Sequence, residues 1–256
     1  MLLATASASP SWTPAERFNA GEKGYWFDPS DLSTMFQDDA GTTPVTASGQ
    51  PVKKMLDKSG AGNHLVQSTT SQAPLLQHDG TRYYLDFDGV NDSMIMAVNM
   101  DLGSGDAFTL LTGWMKKDTN TAVILELSVD WTPRANATFI LVTTSTIQPG
   151  FAGNNSYYQP AITNPGTGPV KLVMVTSADF STVKMDNRLN GSSVASSPSW
   201  STATVSMKSD KLYVGARSNN QFFTPMRLYQ MAGFTGYYTS EISKFETWIN
   251  SKTGAF

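Results

Sequence analysis

The chain has 256 residues, a formal charge of −3, only 15% charged side chains and no cysteine. The absence of cysteine excludes disulfide staples, thiolate metal sites and a cysteine nucleophile, and the scattered Lys and Arg offer no cationic stripe for nucleic acid. A 40% hydrophobic share is enough for one large core, the abundant Gly, Ser, Thr and Asn suit many strands joined by turns, and no window is long and apolar enough to span a membrane.

Residues Met1 to Ala20 are small, polar and punctuated by Pro10 and Pro14, so they read as an extended arm outside the core. A frayed terminus is the common case. The sharper expectation is an arm that docks on a neighbouring subunit through Trp12 and Phe18, since an exposed aromatic needs a partner. The first residues lack a basic region and a long enough apolar run for a secretory signal. Residues 21–256 form one domain. Gly24 to Asp28 is a short aromatic strand, and Pro29 to Phe36 suits a single helical turn. Asp38 and Asp39 invite a calcium reading, but calcium takes about 6–8 oxygens, so a solvated turn is favoured.

Val52 to Leu56 reads as a strand, followed by the loop Asp57-Lys-Ser-Gly-Ala-Gly-Asn-His64. Asp57, Asn63 and His64 are candidates for a polar ligand cluster. The competing and favoured reading is that they knit the loop, because Asx side chains in glycine-rich loops bond backbone amides. Arg82 to Asp88 alternates cleanly, Met94, Met96 and Val98 continue the alternation, and Phe108 to Met115 is long and apolar enough for a sheet centre. Trp114 within it suits core packing better than sugar stacking.

Ala122 to Asp130 and Thr138 to Thr144 are further strands. Gly150 to Pro169, rich in Asn, Gly, Pro and Tyr, reads as a long loop. Its Asn154, Asn155, Tyr157 and Tyr158 are candidate glycan contacts, as are Phe222 and Phe223 in a second polar-aromatic loop. Val170 to Val214 reads as a meander forming the sandwich core, with Asn190-Gly191 as its tight turn. Met226 to Phe234 is a strand. Thr239 or Ser240 then caps a helix whose Ile242, Phe245 and Ile249 recur at helical spacing, and Lys252 and Gly254 mark its end.

Taken in order, the Asp57–His64 loop, Leu85-Asp-Phe-Asp-Gly-Val-Asn-Asp92, the Phe108–Met115 strand, Leu189-Asn-Gly191, Leu212-Tyr-Val-Gly215 and the helix opening at Thr239-Ser-Glu-Ile242 resemble the concanavalin A-like, laminin-G-like jelly-roll superfamily. Gly24-Tyr-Trp-Phe-Asp-Pro-Ser-Asp-Leu-Ser-Thr-Met-Phe-Gln-Asp38, with Gly41-Thr-Thr-Pro-Val-Thr46, resembles a module of virion proteins from tailed bacteriophages and prophages. The matches run from about Gly21 to Gly254. They imply an all-β fold: a two-sheet antiparallel jelly-roll sandwich with a short N-terminal helical turn and one C-terminal helix.

The resemblance also implies a non-enzymatic virion structural protein, a capsid decoration, head-fibre or tail-fibre component made in the bacterial host cytoplasm. Its expected partners are other virion proteins, further copies of itself as a homo-oligomer, and host-surface glycans. No cofactor is expected, although laminin-G-like relatives bind calcium at a sandwich rim and that alternative stays open. A carbohydrate-binding lectin outside a virion is the second reading.

A glycoside hydrolase is the third reading. Such lectin-like enzymes carry alternating acids on one strand, yet Ser128 stands between Glu126 and Asp130. Four residues of strand separate those two acids by roughly 13 Å. Retaining catalysis needs carboxyls about 5–5.5 Å apart and inverting catalysis about 6.5–9.5 Å, so the pair fails on geometry. With only His64 and His78 and no nucleophile elbow, a serine–histidine mechanism lacks its parts.

Overall fold

A computed structural model describes residues 12–103, 105–128, 138–153, 156–158, 160–165, 170–182, 184–194, 209–218 and 221–256. Among them the first strands are β1 (Gly24–Phe27), β2 (Met35–Phe36), β3 (Lys54–Met55), β4 (Leu65–Val66), β5 (Leu75–His78) and β6 (Tyr83–Asp88). There follow β7 (Met94–Met96), β8 (Ala107–Lys116), β9 (Ala122–Leu127), β10 (Thr138–Val142), β11 (Thr146–Gly153) and β12 (Ser156–Tyr158). The last are β13 (Ile162–Thr163), β14 (Lys171–Asp179), β15 (Lys184–Leu189), β16 (Ser192–Val194), β17 (Leu212–Val214) and β18 (Pro225–Thr235). Helix α1 covers Ala15–Ala20 and α2 Ile242–Thr253, with the expected N-terminal helical turn at Leu32–Thr34.

Among the described residues every strand pair is antiparallel. One sheet runs β16-β15-β14-β8-β18-β6-β5, with β1 added beside β18, and the other runs β12-β11-β10-β9-β17-β7-β4-β3-β2 with β13 beside β11. The two sheets enclose a core that includes Phe27, Phe87, Phe108, Trp114, Leu125 and Met226. Trp114 is fully buried there, as the apolar run around it requires.

The first sheet is covered on its outer face as well. Strands β8 and β14 therefore read as continuous apolar runs rather than alternating ones, because both faces are out of water. Phe108, Leu110 and Trp114 point into the sandwich, while Leu111, Val173, Val175, Ala232 and Phe234 meet Phe245, Trp248 and Ile249 of α2. Burying side chains such as Phe245 and Ile249 is worth about 1.5–3 kcal/mol each. Gly113 makes the approach possible: a Cβ there would lie 1.9 Å from Thr253 Oγ1. Helix α2 begins with Glu241 as its N-cap residue and no side-chain cap, not with the expected Thr239 or Ser240. Glu241 instead accepts from Arg17 at 2.5 Å.

Three expectations need correction. Residues 12–20, expected in an extended arm, fold onto their own domain. Trp12 is 8% exposed, its ring tilted against Phe245 at 4.5 Å and edge-on to Trp248 at 5.7 Å, and Phe18 meets Phe234 edge-on at 6.1 Å. Both aromatics pack on α2 and β18 of their own chain, Trp12 buried and Phe18 partly so; residues 1–11 lie outside the described part. Second, the segment after Gly150 is not one long loop. Tyr157 and Tyr158 belong to β12, where Phe151 pairs with Tyr158 and Ala152 with Tyr157, in keeping with the strand preference of Tyr.

Third, the Val170–Val214 stretch is not the centre of the sandwich. Strand β14 is central, but β15 and β16 run out to the sheet edge and β17 belongs to the opposite sheet. Its turn does match expectation. Asn190 and Gly191 have φ of 47° and 83°, the two positive values of the tight hairpin that twists with its strands.

Candidate functional site

The Asp57–His64 loop is knitted from within. Asp57 Oδ1 accepts the N–H groups of Trp26 and Ser59, both at 2.9 Å, and Oδ2 accepts that of Asn63 at 3.0 Å. The Asn63 amide donates to the Gly24 carbonyl at 2.8 Å, and His64 Nδ1 accepts the Asp57 N–H at 3.1 Å. Asp57 and Asn63 are buried. Their polar atoms tie the β3–β4 loop to β1, which is the structural role favoured from the sequence. Asp38 behaves similarly: it accepts from the N–H groups of Gly41, Thr42 and Thr43, and these bonds, led by Thr42, hold its carboxyl well below the usual range.

The sheet order also separates the expected contacts. The Asp57–His64 loop joins β3 to β4, whereas Tyr157 and Tyr158 lie on β12, six strands from β4. At about 4.8 Å per strand that is roughly 29 Å along the sheet, too far for one sugar ring to touch both groups. Asn154 and Asn155 lie outside the described residues.

Phe222 and Phe223 are placed differently. Strand β17 leads into a turn closed by the Arg217–Gln221 bridge, and Phe222 follows it. The Phe222 carbonyl accepts the Val123 N–H at 3.1 Å, and Thr224 donates to the Val123 carbonyl at 2.6 Å, fixing the turn to β9. Phe222 is 41% exposed. Its ring lies 4.8 Å from the Arg217 guanidinium, an arrangement that favours the cation over the ring face. Phe223 beside it is half-buried and Gln221 is exposed.

Beneath Arg217 is a buried acid. Arg217 Nε donates to Glu126 Oε2 at 2.9 Å, and Ser128 donates to Oε1 at 2.8 Å. Glu126 is completely inaccessible. Both its oxygens are therefore occupied by a structural ion pair and hydrogen bonds, and Ser128 fills the place of a middle acid; Asp130 lies outside the described residues. Ser218 and Phe222 have φ of 47° and 51° without being glycine. Left-handed backbone at such residues costs of order 1 kcal/mol or more and persists where its surroundings enforce it, often at functional sites.

Arg217 and Ser218 were missed as site residues. A lone Glu in the apolar run Ile124-Leu125-Glu126-Leu127 signals a buried partner, because an unpaired buried carboxylate is very costly. Nothing local identifies that partner 91 residues away. Among the described residues no group of three or more His, Asp or Glu could hold a metal ion, and no helix is long and apolar enough to cross a membrane.

No protein-family model and no curated protein matches the chain. Solved structures do. The binding domain of Paraclostridial Mosquitocidal Protein 1 aligns over 91% of this chain and 53% of its own, with TM-score 0.61 and 11% identity. The chain shares its β-sandwich fold with part of that structure. A botulinum neurotoxin type C structure, described with cell entry dependent on two ganglioside molecules, aligns over 93% of this chain and 53% of its own at TM-score 0.60 and 9% identity. The botulinum neurotoxin serotype D ligand binding domain in complex with N-acetylneuraminic acid aligns over 77% and 48%, at TM-score 0.55 and 12% identity. This β-sandwich spans about half the length of the structures it matches.

Proposed function

We propose that the chain is a non-enzymatic, glycan-binding β-sandwich and that the Phe222 turn is its contact site. The carrying observation is the exposed Phe222 ring braced on the buried Arg217–Glu126 pair. An aromatic face suits the C–H face of a sugar, and the exposed Gln221 amide beside it can bond hydroxyls. Bracing matters because a ring already held in place loses little freedom on binding. One ring and a few polar groups support weak binding, on the order of millimolar Kd. Useful avidity then comes from several copies acting together. Receptor binding by solved structures of the same fold supports this reading, and the complete engagement of Glu126 supports a role without catalysis.

The setting we propose is the virion of a tailed bacteriophage, as a decoration or fibre component among other virion proteins. The support is the resemblance carried by Gly24 to Asp38 and Gly41 to Thr46. Docking through Trp12 and Phe18 is not part of this proposal, since both are packed within the chain. Glycan-array binding that falls at least tenfold in Phe222→Ala supports the contact site. Labelling of intact particles by an antibody to the chain supports the setting, and unlabelled particles contradict it.

A further inference from the structure

We propose that a cavity between the β15–β16 hairpin and the start of α2 binds one neutral sugar ring. It lies beside the outer face of the sheet that α2 covers, whereas the Phe222 turn is fixed to β9 of the other sheet. The inference stands apart from that turn and does not rest on it. The cavity measures about 220 Å³. That is below the roughly 300–1,000 Å³ of sites for drug-sized ligands, so it suits a single small ring.

The chemistry of the lining selects the ligand. Arg188 forms one wall, and each of its three nitrogens donates within the fold: Nε to Glu246 at 2.5 Å, one terminal nitrogen to Ser193 Oγ at 3.0 Å and the other to the Gly191 carbonyl at 2.6 Å. Its charge is matched at close range by the Glu246 carboxylate, which weakens its pull on an anion. Asp186 accepts the Tyr237 hydroxyl through Oδ2, and burial together with this carboxylate pushes the Tyr237 pKa up, so the phenol stays protonated as the donor. Asp186 lines a cavity in which the formal charges of Asp186, Arg188 and the adjoining Glu246 sum to −1, which disfavours a carboxylate or phosphate ligand.

A divalent cation is disfavoured as well, since the lining offers one carboxylate where calcium takes about 6–8 oxygens. What remains is an acceptor at Asp186, hydroxyls at Thr239 and Ser193 able to donate, and an apolar wall at Ile242. Ser193 already accepts from Arg188, which leaves its proton for a ligand. A neutral pyranose presents hydroxyls to the first three groups and a C–H face to the last.

The test uses the full chain with methyl glucoside, methyl galactoside and methyl mannoside at millimolar concentration, read by saturation-transfer NMR. Transfer to at least one glycoside is expected in the parent chain and to persist in Phe222→Ala. It is expected to fall at least fivefold in Thr239→Val, an exposed position where the unfolding temperature should not move, and in Asp186→Asn. Methylammonium serves as a control and should not compete. The proposal is overturned by no transfer to any glycoside, by transfer unchanged in Thr239→Val and Asp186→Asn, by transfer abolished in Phe222→Ala, or by displacement with methylammonium.

Discussion

Replacing Glu126 by Gln tests the brace beneath the Phe222 turn. The change keeps the side chain's shape and its ability to accept from Ser128, and removes only the charge that faces Arg217 at 2.9 Å. At an effective dielectric of about 20, two unit charges at that distance attract by roughly 6 kcal/mol before desolvation is counted. Removing one partner of a buried pair leaves the other uncompensated and typically costs about 3–5 kcal/mol. We take about 3 kcal/mol, since Gln retains part of the hydrogen bonding. A domain of this size then melts roughly 6–12 °C lower.

The assay is thermal and urea unfolding of the parent, Glu126→Gln, Arg217→Met and the double variant. The double variant should lose less than the sum of the singles, with a coupling energy above about 1 kcal/mol, because the second change relieves the charge stranded by the first. Single variants that each cost less than about 1 kcal/mol, or a strictly additive cycle, would refute the reasoning.

Trp12→Ala should cost about 3 kcal/mol by opening a cavity between α2 and the first sheet; an unfolding midpoint within about 2 °C of the parent would mean that Trp12 does not cement this chain. Gly113→Ala should destabilise by about 1–3 kcal/mol through collision with Thr253, and a Gly113→Ala/Thr253→Ala double variant should recover part of that loss in urea melts. Burial pushes the Asp92 carboxyl up to about 6, with the Asp88 N–H bond opposing and the Asp88 charge adding to the rise. The folded state therefore holds this proton between pH 3.8 and about 6, where the unfolded chain has lost it. Stability falls as pH rises through that window, and the loss is complete above it. Asp92→Asn, which can still accept the Asp88 N–H, should melt higher than the parent above about pH 6.5 and flatten the pH profile of melting. An unchanged profile would contradict the assignment.

Much of the sandwich was legible because its signals are local. Tyr83, Leu85 and Phe87 alternate, α2 carries a stripe at helical spacing, and Asn190-Gly191 specifies its own turn. The unbroken apolar runs of β8 and β14 indicated burial on both faces without saying what covers the second. The covering involves residues at both ends of the sequence: Trp12 and Phe18 sit in a proline-punctuated segment without periodicity, and their partners lie more than two hundred positions away. The Asn, Gly and Pro around Tyr157 and Tyr158 favour a loop, yet pairing with β11 outweighs that local composition.

The candidate site was the least legible part. Residue types identified Asp57, Asn63, His64, Phe222 and Phe223 as worth examining, but not their separation by sheet order. Glu126 was visible as an acid in an apolar strand. Arg217, which gives it a structural role, is brought to it by the pairing of β17 with β9.

The most direct test of the account is a glycan-array comparison of the parent chain with Phe222→Ala, displayed multivalently so that millimolar single-site binding is detected. The parent should give discrete glycan hits, reduced at least tenfold in a variant whose melting temperature is unchanged. No hits from the multivalent parent, or hits that Phe222→Ala leaves intact, would contradict it.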